Sequence, residues 1–112
     1  MTRLFTPAVR EIACGLQFPE GPIALDDGSV LVVEMARQTL TRVRPDGATQ
    51  VIAALGGGPN GAAIGPDGRE VVVGGLEPGT NRYWYALYDT ATGAKRREWV
   101  LPGVAEFQFT LA

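Results

Sequence analysis

The sequence predicts an all-β protein built from repeated four-stranded units, and three observations support this fold class. A stretch that begins at Pro19 returns at Pro59 without a gap, an offset of 40 residues since 59 − 19 = 40. Within each copy, short β-prone runs flank Asp-Gly turn signals, the pattern of a β-hairpin. No stretch has the length and period of an ordinary helix. A repeat of about 40 residues made of short strands is typical of a β-propeller blade.

The chain divides into four predicted segments. Residues 1–15 form a lead-in, 16–55 a first blade-like repeat, 56–103 a second, and 104–112 the start of a third unit. Each repeat holds four β-prone runs joined by turns, which is one blade's worth. The predicted architecture is therefore an incomplete β-propeller of about two four-stranded blades plus the start of a third.

A run of three glycines at 56–58 marks the crossing between the two repeats. It could suggest a phosphate-binding loop, but no Gly-Lys-Ser/Thr and no helical period follows it. A crossover in which backbone passes close to backbone is the better interpretation, because glycine has no Cβ.

Composition excludes several kinds of catalytic site. The 112 residues include no histidine and one cysteine, Cys14. These counts rule out a disulfide within the chain, a thiolate metal cluster and a nucleophile activated by histidine. Any catalysis would depend on carboxylates, amides, arginines or a bound metal.

Charge and hydropathy predict neither a nucleic-acid partner nor a membrane partner. Net charge is −2, and the one basic cluster, at 95–97, is followed by Glu98, so it is predicted to be a solvated strand edge. No stretch approaches the roughly 20 apolar residues that span a bilayer. The N-terminus lacks the apolar core of a secretory signal, so a cytoplasmic location is expected.

Most of the other polar and aromatic residues have a structural interpretation. Asp27, Asp46 and Asp67 each precede glycine and are predicted to be turn residues. Asp26 and Asp27 lack the spaced oxygen ligands of a calcium loop. Glu34 ends a β-prone run, where it would be a solvated strand end or would face a channel. The tryptophans and tyrosines of the second repeat are predicted to pack between blades rather than to stack on a ligand.

The ordered motifs resemble a known family. The series FPEGP, DGSVLVVE, LTRV with PDG, and GGGPNGAAIGPDG resembles the start of the SMP-30/gluconolactonase/luciferin-regenerating-enzyme family over residues 16–73. The resemblance weakens at Gly74, Gly75, Leu76 and Glu77, which stand where the family has an Asn-Gly-rich stretch. It implies a six-bladed β-propeller with a divalent cation, calcium or zinc, in its central channel, and in many members lactone hydrolysis.

Two residues carry the site that the resemblance implies. Glu20, in PEGP, corresponds to the first-blade metal ligand, and a carboxylate is a hard oxygen donor suited to such a cation. Asn60, in GGPNG, corresponds to the channel position that contacts substrate or metal-bound water, and its amide can donate and accept. From the residues alone, Glu20 could instead be a charged loop residue and Asn60 an Asn-Gly turn residue.

No catalytic residue is predicted in this chain, because the family's other metal ligands and its general base lie in later blades. The first hypothesis is the N-terminal part, or a truncated form, of a lactonase-like hydrolase that is inactive alone and binds metal weakly or not at all. The second is a non-catalytic module that self-associates or pairs with a missing propeller half. The third is a shortened product that does not fold stably, since stacked repeats generally need at least three units.

Overall fold

The computed structural model describes residues 9–102, which form eight strands in two antiparallel sheets and no helix. The predicted all-β class is confirmed. The first sheet contains β1 (Pro19–Ala24), β2 (Val30–Glu34), β3 (Thr39–Val43) and β4 (Thr49–Ala54), and the second contains β5 (Pro59–Ile64), β6 (Glu70–Leu76), β7 (Arg82–Asp89) and β8 (Lys95–Pro102). Each sheet runs in simple sequence order from inner to outer strand, as in a propeller blade.

The repeat of 40 residues is visible in the strands themselves. β1 and β5 have the same length, and their first residues, Pro19 and Pro59, differ by 40. β2 and β6 also start 40 residues apart, at Val30 and Glu70. The division of the chain at residues 15, 55 and 103 stays a prediction, and the start of a third unit at 104–112 lies outside the described residues.

The core lies between the two sheets. Strands alternate their side chains between two faces, so the buried residues of β2, β3, β6 and β7 that share one face form a single layer. These are Leu31, Val33, Leu40, Val71, Val73, Ala86 and Tyr88, with Trp84 packed against them. The predicted packing of aromatic residues between blades is confirmed for Trp84 and Tyr88. Neither sheet could bury this layer alone, since a single sheet has one face of it in water.

The three predicted aspartate turns are confirmed. The carboxylate of each aspartate accepts a backbone N–H two residues on, in the pairs Asp27–Ser29, Asp46–Ala48 and Asp67–Arg69. The glycine after each aspartate has positive φ, at 87°, 89° and 73° for Gly28, Gly47 and Gly68. Short polar side chains that satisfy their own backbone are what these turns require.

Residues 9–18 form no strand or helix, yet they contact the first sheet. The N–H groups of Met35 and Ala36 donate to the carbonyls of Phe18 and Gln17, which extends the pairing of β1 with the end of β2. Among residues 9–102 no segment is helical, so none there is a helix that could cross a membrane.

Candidate functional site at the inner strands

The inner strands bring Glu20 and Asn60 to corresponding positions in the two sheets. β1 pairs only with β2, β5 pairs only with β6, and β1 packs beside β5 where the sheets meet. Glu20 and Asn60 are the second residues of these two strands. Both side chains are exposed, and neither makes a hydrogen bond or ion pair within residues 9–102. The structure therefore presents a carboxylate and an amide at the inner edge of the sheets, each free to meet a ligand.

Irregular pairing shapes the backbone at both positions. The register of β1 on β2 shifts between Glu20 and Ile23, and the register of β5 on β6 shifts between Pro59 and Gly61. Such irregularities bend a strand and redirect a side chain, and they are common at sheet edges and beside sites. Proline at the first residue of each strand is tolerated because an inner-edge N–H has no ladder partner.

Gly21 allows β1 and β5 to approach each other. Its φ is 59°, and a Cβ there would lie 3.2 Å from the backbone nitrogen of Ala62 on β5. Any other residue would meet both backbone strain and a fixed neighbouring strand. The PEGP sequence thus places Glu20 beside the contact between the inner strands.

The described residues do not complete a site for a divalent cation. Within residues 9–102 there is no group of three or more His, Cys, Asp or Glu side chains placed to hold a metal ion. Calcium takes 6–8 oxygen ligands and catalytic zinc about three protein ligands. Glu20 and Asn60 can supply at most one carboxylate and one amide to such a site, so its remaining ligands would have to come from elsewhere.

Glu34 is buried, which makes the solvated-strand-end interpretation wrong. Its side chain is 1% exposed and lies opposite Pro19 at the start of β1. One carboxylate oxygen accepts the backbone N–H of Gln17 at 2.8 Å and contacts Arg37 Nε at 3.1 Å. The other accepts the hydroxyls of Thr39 and Thr41. Glu34 thus ties the residues before β1 to the sheet and fixes the strand that carries Glu20.

The pKa of Glu34 reflects these contacts. Burial disfavours the charged form and acts to raise the pKa, which is the largest single influence. The hydrogen bonds from Thr41, Gln17 and Thr39, together with the charge of Arg37, act in the opposite direction and together prevail. The pKa of Glu34 therefore lies below its ordinary value of 4.5, and the group is a carboxylate at neutral pH.

Two features of the sheets were missed by sequence reasoning. Thr39 and Thr41 alternate along β3, which would have indicated a shared face, but nothing in their pattern identified Glu34 as their partner. Arg42 joins the sheets, because its guanidinium donates to the carbonyl of Thr90 at 2.7 Å. The basic cluster at 95–97 was predicted as a strand edge, and it lies on β8, the outer strand of its sheet, with Lys95 paired to Glu98.

Comparison with known proteins shows the fold. No protein-family model and no curated protein matches this sequence. Among solved structures, the chain is similar to the PQQ-bound form of the aldose sugar dehydrogenase from Streptomyces coelicolor, with a TM-score of 0.65 and 24% sequence identity. The match covers 84% of this chain and 32% of that one, so this chain spans less than half the length of the solved protein. The incomplete β-propeller is confirmed, and the resemblance to the SMP-30/gluconolactonase family stays a prediction.

Proposed function

We propose that this chain supplies the first part of a channel site in a propeller hydrolase that acts on sugar lactones or related esters, and that it is inactive alone. The observation that carries the proposal is the placement of Glu20 and Asn60. Both lie at the same position of adjacent inner strands, exposed and without protein partners among residues 9–102. The fold is similar to that of an aldose sugar dehydrogenase, which supports a sugar-derived substrate. Fold alone does not decide the chemistry, so the choice of hydrolysis depends on the motifs PEGP and GGPNG.

The two residues have distinct roles in this proposal. Glu20 offers an anionic oxygen to a hard cation such as calcium, or to zinc. Asn60 offers an N–H₂ donor and a carbonyl acceptor to substrate hydroxyl and carbonyl groups without adding charge. Because the described residues do not complete the cation site, these roles are binding and orientation, and the chain alone is not expected to hydrolyse a lactone.

Calcium is expected to stabilise the chain weakly, and only through Glu20. A site with few ligands has a Kd of about 1 mM or weaker. At ten times Kd, the expected gain in the free energy of unfolding is about 1.4 kcal/mol. The measurement is the melting temperature with and without calcium, repeated with zinc, for the wild type and for Glu20→Ala.

The matched control for the calcium experiment is Asp26→Ala. Asp26 is an exposed carboxylate at the opposite end of β1. The Asp26 variant should keep the calcium shift, and the Glu20 variant should lose it. Equal shifts in both variants, or no shift in the wild type at any calcium concentration, would remove Glu20 from the proposed site. A lactone hydrolysis assay on the same samples tests the expected inactivity.

Self-association is the second candidate function, and exposed apolar side chains on the second sheet favour it. Leu76 is 39% exposed and Trp99 40% exposed. By strand alternation, both side chains lie on the sheet face directed away from the first sheet. Apolar residues on one face of a sheet are candidates for an interface.

Sedimentation at increasing concentration tests this candidate. The wild type should associate, and Trp99→Lys should remain monomeric because a charge would be buried in the contact. Arg69→Glu in the turn before β6 is the control and should associate like the wild type. A wild-type monomer throughout the concentration range would exclude the module.

A further inference from the structure

A groove lies between the sheets at their outer ends, away from the inner strands. Its volume is about 300 Å³, at the lower end of small-molecule sites. Its walls include Leu55 from the crossover between the sheets, Trp84, Ala86 and Tyr88 from β7, and Val100 from β8. Both walls belong to this chain, because these β7 residues are on the face of the second sheet that packs toward the first.

Tyr88 places an unsatisfied polar group in this apolar groove. The residue is 3% exposed, and its hydroxyl has no hydrogen-bond partner within residues 9–102. The hydroxyl is near the rim of the groove, since the charges of Lys95 and Glu98, which also line it, both act on the phenol. Buried hydroxyls are normally paired, and one left without a protein partner indicates a ligand or a bound water.

The protonation state of Tyr88 indicates what the hydroxyl can offer. Burial raises the pKa of Tyr88 above its ordinary value of 10.0. The hydroxyl therefore carries its proton at neutral pH and can donate to an oxygen of a ligand.

The charges around the groove are already paired with one another. Lys95 Nζ lies 2.8 Å from a Glu98 carboxylate oxygen, and Arg82 lies 2.6 Å from Glu77. Each pair is internally neutral, so the groove offers no net charge to a ligand. Trp84 is also satisfied, because its indole Nε1 donates to the carbonyl of Gly57 at 2.9 Å. This bond fixes the ring as a rigid apolar wall.

We propose that this groove binds a small uncharged ring compound that presents one hydroxyl or carbonyl oxygen to Tyr88. The apolar walls take the ring, and the phenol provides the hydrogen-bonding group that selects an oxygen. The site is separate from Glu20 and Asn60, which lie on the inner strands. Its occupancy therefore does not depend on the lactonase proposal.

Nuclear magnetic resonance of the Trp84 indole N–H tests this site, with benzyl alcohol as the probe and toluene as the probe without oxygen. The Trp84 signal is assigned by its survival in Trp99→Phe. Benzyl alcohol should shift it saturably. Tyr88→Phe, which removes only the hydroxyl, should weaken benzyl alcohol by about 3- to 10-fold, as expected for one hydrogen bond, and leave toluene unchanged.

A matched pair of surface variants separates groove binding from general adsorption. Val100, 51% exposed, lines the groove, and Val51, 50% exposed on β4, does not. Val100→Phe should weaken both probes, and Val51→Phe should weaken neither. The proposal is overturned if the wild-type signal does not saturate, if Tyr88→Phe binds benzyl alcohol as well as the wild type, or if the two valine variants behave alike.

Discussion

Replacing Gly75 with alanine is expected to lower the free energy of unfolding by more than about 3 kcal/mol, the upper range for forcing extra volume into a packed site. Gly75 lies on β6 opposite Pro59 at the start of β5. A Cβ at Gly75 would collide with the carbonyl group of Gly58 and the Cα of Pro59. All of these are backbone atoms, so no side-chain rotation relieves the collision and the strands must separate.

The same substitution is expected to disturb the crossover between the sheets. Gly58 also accepts the N–H of Leu76 through its carbonyl, at 3.1 Å, and Gly57 accepts the Trp84 indole. Moving this backbone breaks both bonds, so the tryptophan fluorescence of Gly75→Ala should change before denaturant is added. Urea unfolding followed by circular dichroism gives the free energy.

Gly61→Ala is the control for Gly75→Ala. Gly61 lies on the adjacent strand β5, its φ is not in the left-handed region, and a Cβ there would meet nothing within 4 Å. Alanine at this position should leave stability within about 0.5 kcal/mol of the wild type, as for substitutions that break no specific feature. A similar loss in both variants would show that the close approach at Gly75 is not what limits β5 and β6.

The sequence predicted the crossover better than it predicted the strand beside it. Three consecutive glycines indicate close backbone passage by themselves, and Gly58 does approach the carbonyl of Leu76. Gly75 stood out only as a departure from the motifs of the resembled family. Its reason is a contact with residues 16 and 17 positions earlier, which no local pattern encodes. The aspartate turns were predictable for the opposite reason, because each bonds its own backbone two residues on.

The candidate site shows the same division between local and distant information. Proline and glycine around Glu20 predicted a rigid corner, and the structure adds that Gly21 is where the inner strands touch. Glu34 could not be predicted as buried, because its cover includes Gln17, a residue 17 positions earlier in a segment without strand pattern. A carboxylate at the end of a β-prone run is usually solvated, and only the tertiary contact reverses this.

Glu34→Ala is expected to lower the free energy of unfolding at neutral pH by about 3–5 kcal/mol, the range for breaking a buried ion pair. The substitution leaves the Gln17 N–H and the hydroxyls of Thr39 and Thr41 without their acceptor. Glu34→Gln should cost less, about 1–3 kcal/mol, because the amide keeps one acceptor oxygen but loses the charge that Arg37 meets. Hydrogen exchange of the Gln17 amide should accelerate in both variants. Asp26→Asn, an exposed carboxylate changed to its amide, is the control and should change neither quantity.

Acid distinguishes the charge of Glu34 from its packing. Because the folded-state pKa lies below 4.5, the charged group contributes its full stability above that pH. The contribution is lost as pH falls from the unfolded-state pKa through the folded one, since the unfolded state binds the proton more readily. The difference in stability between the wild type and Glu34→Gln should therefore narrow below pH 4.5 and stay constant above it. A difference that is unchanged across this range would mean that shape, and not charge, is what Glu34 contributes to the strand that carries Glu20.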